Sequence, residues 1–158
     1  MTDLKHHRGM TVRRLAVAVL AAAAAGCSTT VAGTPVAAGG DADTDLVLAY
    51  FTALNDAGEQ GADSQADFLR RTQHPDFTDR FCDLDDLVVR MAPVASTLRP
   101  DPDWKPEKSA DAPRGDTYVI AVTVTIRRGT ATLGEQIGSQ RVVLLGGEAY
   151  GFTPCPAE

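Results

Sequence analysis

The order of apolar and polar positions divides the chain into stretches of different period. The first is an unbroken apolar run, Leu15–Ala25, with Arg13 and Arg14 directly before it and Gly26-Cys27 directly after. At 1.5 Å per residue such a run reaches ~16 Å as a helix, about half of a bilayer's hydrocarbon core, so it is too short to span one. Basic residues, a short apolar core and a small-residue exit are the three parts of a secretory signal peptide. Residues 28–42, STTVAGTPVAAGGDA, then show no period and consist mostly of Gly, Ala, Thr and Pro, the composition of a flexible linker.

From Leu46 the period becomes helical. Leu46, Ala49, Tyr50, Ala53, Leu54 and Ala57 recur at the i, i+3, i+4, i+7 spacing of an amphipathic helix, with Asp43 or Thr44 as cap and Gly58 as stop. A second helix is expected from Ser64, with Asp67 completing a capping box and His74-Pro75 ending it. Leu84, Leu87, Val88, Met91, Ala92 and Ala95 repeat the helical spacing and predict a third helix, capped by Asp83 or Asp85 and kinked or restarted at Pro93.

Beyond Trp104 the period drops to two. Tyr118, Ile120, Val122, Val124 and Ile126 alternate with more polar positions, which predicts a strand. A loop over 129–135, a strand from Gln136 to Leu145, a tight turn at Gly146-Gly147 and a last strand over Ala149–Thr153 follow. Residues 104–109 add a weaker edge strand, the one place where Pro106 fits. Helices first and an antiparallel meander afterwards predict an α+β domain over residues 44–158, with the helices on one face of a curved sheet.

Two resemblances sharpen this reading. Ala24-Ala25-Gly26-Cys27 resembles the lipobox of bacterial lipoproteins, although that family prefers Leu where Ala24 stands. The resemblance implies cleavage after residue 26, a diacylglycerol on Cys27 and usually a further acyl (palmitate-type) chain on the new N-terminus. Residues 27–43 are then the lipidated cysteine and its tether. Two or three such chains hold a protein on a membrane almost permanently. The competing expectation is cleavage near Ala23–Ala25, giving a soluble secreted protein with Cys27 free. Separately, the element order and the terminal hairpin VVLLGGEAYGFTPC resemble the nuclear-transport-factor-like (cystatin-like) cone common among small mycobacterial lipoproteins, with Tyr150 where that family usually carries Trp. The family's cone often encloses a pocket, and its enzymes use an Asp/His pair inside it.

Composition bears on location and partners. Met10 is an alternative start, followed by Thr11-Val12-Arg13-Arg14 and the apolar run, in which case His6 and His7 have no role. Residues 1–26 carry a net +3 against −6 for the whole chain, which leaves −9 for the remainder. So acidic a surface repels phosphate backbones and anionic headgroups, which argues against nucleic acid and leaves membrane attachment to lipid on Cys27. The 12 arginines against 3 lysines fit a GC-rich, actinobacterial coding bias. Arg13-Arg14 hints at twin-arginine export, and Thr29, Thr30 and Thr34 are candidate O-glycosylation sites.

Three cysteines are an odd number for an exported protein. With Cys27 acylated, Cys82 and Cys155 are left to pair in an oxidising compartment, closing a long loop worth roughly 4.4 kcal/mol by chain entropy. With no CxxC and a single histidine after residue 26, a metal or redox role is not expected. That histidine, His74, sits in a turn and is expected to be solvated rather than catalytic. Asp76, Asp79, Asp83, Asp85 and Asp86 lack the glycine and closing glutamate of a calcium loop and read as caps and solvated charge. Tyr50, Trp104, Tyr118 and Tyr150 are candidates to line a pocket, or else core aromatics. No cofactor motif is present.

The expectation is therefore a lipid-anchored envelope protein on the extracytoplasmic face of the cell membrane. Its domain binds a small apolar ligand or an envelope protein without chemistry. The alternatives are an accessory subunit of a membrane complex, or an isomerase- or dehydratase-like enzyme using the cone's interior. The ligand-binding reading requires a largely apolar cavity, the subunit reading an exposed apolar patch, and the enzyme reading a buried ionisable pair.

Overall fold

The computed structural model describes residues 40–106 and 111–155. The signal-like run, Cys27 and the linker through residue 39 lie outside them. Two helices, α1 (Asp41–Gln60) and α2 (Ala62–Thr72), precede five strands: β1 (Leu87–Pro93), β2 (Arg99–Pro100), β3 (Asp116–Arg128), β4 (Ala131–Leu145) and β5 (Glu148–Tyr150). The strands form one antiparallel sheet in the order β1-β3-β4-β5, with β2 continuing along the β1 side of β3. The sheet is curled into a half-barrel and the helices pack against it, the α+β, cone-like architecture expected.

The long β3–β4 hairpin sets the curl. Ile126 pairs with Gly134 but Arg127 pairs with Thr132, so Leu133 is the extra residue of a bulge. An extra residue on one strand bends that strand and increases its twist. The alternation read over Tyr118–Ile126 holds: Tyr118, Ile120, Val122 and Val124 join Val142 and Leu144 in the core. Val47, Tyr50, Phe51 and Leu54 of α1 fill the same core. Truncating a fully buried member such as Phe51 or Leu54 to alanine costs on the order of 2–5 kcal/mol.

Several boundaries differ from expectation. Helix α1 starts at Asp41 behind Gly40 with no side-chain cap, because the Asp43 carboxylate accepts the Tyr118 hydroxyl at 2.7 Å instead. Gly58 does not stop the helix. It lies inside α1 where an added Cβ would come 2.5 Å from the Gln65 amide. Helix α2 begins at Ala62, and Asp67 pairs with Arg70 rather than closing a capping box. The helix does end before His74-Pro75.

The expected third helix is strand β1. Its seven residues satisfy helical spacing by coincidence, and their fate is decided by pairing with β3 from Leu87↔Arg128 to Pro93↔Val122. The expected loop over 129–135 is a two-residue turn, Gly129-Thr130, followed directly by β4. Residues 104–106 are not a strand, and 107–110 lie outside the described residues. The last strand is shorter than expected, because Gly151 leaves β4 to bridge Gln73. At Gly151 a Cβ would sit 2.0 Å from the Tyr50 hydroxyl, so only glycine lets the chain pass.

The two edges of the sheet are treated differently. On β1, Gln65 acts as a surrogate strand: its Oε1 accepts the Val89 N–H at 2.8 Å, and its Nε2 donates to Val89 O at 2.7 Å and Leu54 O at 3.1 Å. Asn55 repeats the device at Met91, accepting its N–H at 2.9 Å and donating to its carbonyl at 2.8 Å. On β4, strand β5 covers only Val143–Leu145. Among the described residues nothing pairs with the outer edge from Ala131 to Val142.

Candidate functional site

The densest polar arrangement surrounds His74, where the end of α2, a 3-10 helix (Pro75–Arg80) and the segment after β5 converge. The His74 N–H donates to Gly151 O at 3.0 Å, and the Gly151 N–H donates to Thr72 O at 2.8 Å. Gln73 extends the clamp. Its Nε2 donates to Phe77 O at 2.9 Å, and its Oε1 accepts the Thr153 N–H at 2.9 Å and the Thr153 hydroxyl at 2.8 Å.

The imidazole itself is completely buried, which corrects the expectation of a solvated turn histidine. The turn is present, but its ring points inward among Phe77, Tyr150 and Phe152, with centroids 5.5, 6.0 and 5.9 Å away. Nδ1 accepts the Asp76 N–H at 3.2 Å, so the ring proton is on Nε2, which donates to Arg114 O at 2.9 Å. Both ring nitrogens are thus engaged by main chain. The ring fastens Arg114 and Phe152 to the end of α2, while the His74 N–H holds Gly151 and the Gln73 amide holds Thr153.

Outside this ring the charge is organised by Asp76 and Arg114. The guanidinium of Arg114 reaches both carboxylate oxygens, with Nε at 3.0 Å from each and Nη2 at 2.6 Å from Oδ1. That fork holds the Asp76 carboxyl down at about 2, with the Arg114 hydrogen bond as the main cause. Asp76 and Arg114 form, with Phe77, Asp79, Arg80, Asp111 and Ala112, a half-open cleft of about 340 Å³. A second cleft of about 510 Å³ lies at the α1–α2 corner, lined by Glu59, Asp86, Val88 and Arg127 among others.

Neither cleft is the apolar cavity that small-ligand binding required, and none of the four candidate aromatics lines either one. Tyr50 is a core residue whose hydroxyl is pushed up to about 12 by burial. Tyr118 ties β3 to α1 through Asp43, and that hydrogen bond, with burial, raises it to about 12. The Tyr150 hydroxyl donates to Glu148 at 2.7 Å, which raises its pKa. Trp104 packs edge-on against Phe152 at 4.7 Å beneath the Arg141 guanidinium. These aromatics hold the fold together.

Cys82 and Cys155 are disulfide-bonded, with Cα atoms 5.7 Å apart and a sequence separation of 73. The bridge secures the same terminal segment that His74 and Gln73 hold. The aspartates after residue 75 are dispersed: Asp83 accepts the Asp85 N–H at 3.0 Å and Asp86 pairs with Arg128 at 2.9 Å. Among the described residues no three His, Cys, Asp or Glu side chains converge as a metal site, and no helix is long and apolar enough to cross a membrane.

The residues that sequence reasoning passed over lie on β4. Ile137 is 85 % exposed and Leu133 53 %, both on the stretch with the unpaired edge. No family model matches this chain, and neither curated proteins nor solved structures yield a similar one.

Proposed function

We propose that this chain is a lipid-anchored envelope protein of bacterial lipoprotein type, held at the extracytoplasmic face of the cell membrane by acyl chains on Cys27. Its domain binds a protein partner and does no chemistry. One observation carries the reading: Cys82 and Cys155 pair with each other, which leaves Cys27 as the chain's unpaired thiol, directly behind Leu15–Ala25 and Gly26. A structural disulfide belongs to an oxidising compartment, and a cysteine at a signal-peptide exit is where lipid would be attached.

The site geometry supports binding over catalysis. His74 has both nitrogens engaged, and the buried polar side chains among the described residues are Gln65, Gln73, His74 and Thr117, with no carboxylate. The accessory-subunit reading draws support from the exposed Ile137 and Leu133, whereas a pocket for an apolar ligand draws none from the two charged clefts.

Intact-mass spectrometry of the natively expressed protein tests the proposal. The expected mass begins at Cys27, carries diacylglycerol and further acyl mass, and lacks two daltons for the bridge. A Cys27→Ala variant is expected to accumulate as precursor and to lose incorporation of labelled fatty acid. A mature N-terminus at or before Cys27 bearing no lipid refutes the anchor.

A further inference from the structure

Beyond the bulge at Leu133, the outer edge of β4 is long and regular, and among the described residues nothing pairs with it short of β5. From Gly134 to Leu144 its pairing with β3 runs without a register shift. Natural sheets blunt such an edge with lysine, proline, bulges or a covering element, because unpaired N–H and C=O groups template another strand. Over residues 134–140, GEQIGSQ, the single charge is Glu135 and there is no proline. The contrast with β1, whose edge is closed by Gln65 and Asn55, is internal to the same sheet.

The direction of the free groups follows from the neighbouring hairpin. The two-residue turn Gly146-Gly147 closes on the pair Leu145↔Glu148. A turn of that length closes on a hydrogen-bonded pair, so Leu145 directs its N–H and C=O toward β5. Alternation along the strand then turns the N–H and C=O of Val143, Arg141, Ser139, Ile137 and Glu135 to the same side. Four of these five lie beyond the reach of β5.

We propose that this edge pairs antiparallel with the same edge of a second copy, on a twofold axis through Ile137. The segment is complementary to itself in that register. Ile137 meets Ile137, Glu135 meets Ser139, Gln136 meets Gly138 and Gly134 meets Gln140. Each long amide lies across from a glycine, and a Cβ added at Gly134 or Gly138 would meet nothing within 4 Å, so there is room for it. No like charges face each other, and the Glu135 carboxylate faces a hydroxyl. Shifting the axis to Gly138 would oppose Glu135 and Arg141, but the Arg141 guanidinium is already held by Asp101 at 3.2 Å and lies over Trp104. Closed twofold pairing also removes the edge and with it the route to open-ended stacking.

This deepens the partner-binding reading and is independent of the anchor. An unlipidated Cys27 would leave the strand pairing intact, and a monomer would leave acylation intact. The test uses the full-length chain in a Cys27→Ser background. Sedimentation velocity is expected to show a concentration-dependent dimer. Ile137→Cys is expected to cross-link to itself through a short bifunctional thiol linker. Glu135→Cys mixed with Ser139→Cys is expected to cross-link, while each alone does not.

Ile137→Pro is the second variant. It removes an N–H that points away from β3, so far-UV circular dichroism is expected to stay unchanged. The dimer dissociation constant should rise about tenfold or more. A monomer at every concentration, cross-linking no greater than that of exposed Thr52→Cys on α1, cross-linking without the 135–139 register, or a dimer unaffected by Ile137→Pro would each overturn the proposal.

Discussion

Replacing Gln65 by leucine separates the role of a buried amide from that of its bulk. Leucine is close in volume and is apolar, and the site is 1 % exposed, so burial alone predicts little change. Hydrogen bonding predicts the opposite. The substitution strands the Val89 N–H, the Val89 carbonyl and one acceptor interaction at Leu54 O, all of them buried. The Leu54 carbonyl is in the interior of α1 and keeps its helical donor, so its loss is small. The two Val89 groups have no other partner on that side of β1. Leaving a buried backbone group unsatisfied costs about 1–3 kcal/mol, so Gln65→Leu is expected to cost roughly 3–5 kcal/mol. With a urea dependence of ~1.5 kcal/mol/M, the midpoint followed by far-UV circular dichroism falls by about 2–3 M at unchanged slope. Hydrogen exchange at the Val89 amide is expected to accelerate more than at Val122 on the neighbouring strand. A loss below about 1 kcal/mol, with Val89 still protected, would refute the argument that this edge is held by a side-chain amide.

Other outcomes follow from the same structure. Replacing Cys82 and Cys155 together by alanine is expected to cost about 2–4 kcal/mol in chemical denaturation, less than the loop-length limit because Gln73 and His74 still hold the terminal segment. Asp76 is held down at about 2, so its carboxylate stabilises the fold fully above its ordinary value near 4, and that contribution is lost as pH falls through 2. Urea midpoints measured from pH 5 to pH 2 are therefore expected to fall more steeply in the parent than in Asp76→Asn. Tyr50 and Tyr118 are both raised to about 12, so the stability they contribute is complete below pH 10 and lost between pH 10 and 12. Spectrophotometric titration should show part of the tyrosine absorbance appearing only above pH 11, and Tyr118→Phe should remove one such step.

What could be read in advance was whatever a residue's own neighbours determine. The helical period of α1, the alternation in β3 and the Gly146-Gly147 turn are local patterns that the fold obeys, although the buried face of α1 is centred on Val47, Tyr50, Phe51 and Leu54 and leaves Ala49 and Ala53 of the expected stripe exposed. The Cys82–Cys155 bridge followed from compartment and parity, also without long-range knowledge. The failures share a different cause. β1 carries an equally good helical pattern, and only the presence of β3 alongside makes it a strand. The first half of β4, Ala131–Ser139, is almost wholly exposed and so has no alternation to read; its extended state is imposed by its partner. His74 is drawn inward by Phe152 and by the carbonyl of Arg114, 40 residues away. Gln65, early in α2, gives no local sign that it will complete a strand 24 residues later. Of the candidate aromatics, Tyr50 and Tyr118 belong to the core between α1 and the sheet, Trp104 packs on Phe152 and Tyr150 on the His74 ring, and none of the four lines either of the two clefts described.

The chain's single tryptophan is Trp104, and it sits against Phe152 in the terminal segment rather than in the α1–sheet core. Its emission is consequently a local gauge of whether that segment is docked. Fluorescence would register peeling of residues 151–155 while the helices are still intact, so an indole signal and a helical signal that diverge on reduction would time the release of the tail apart from the melting of the domain.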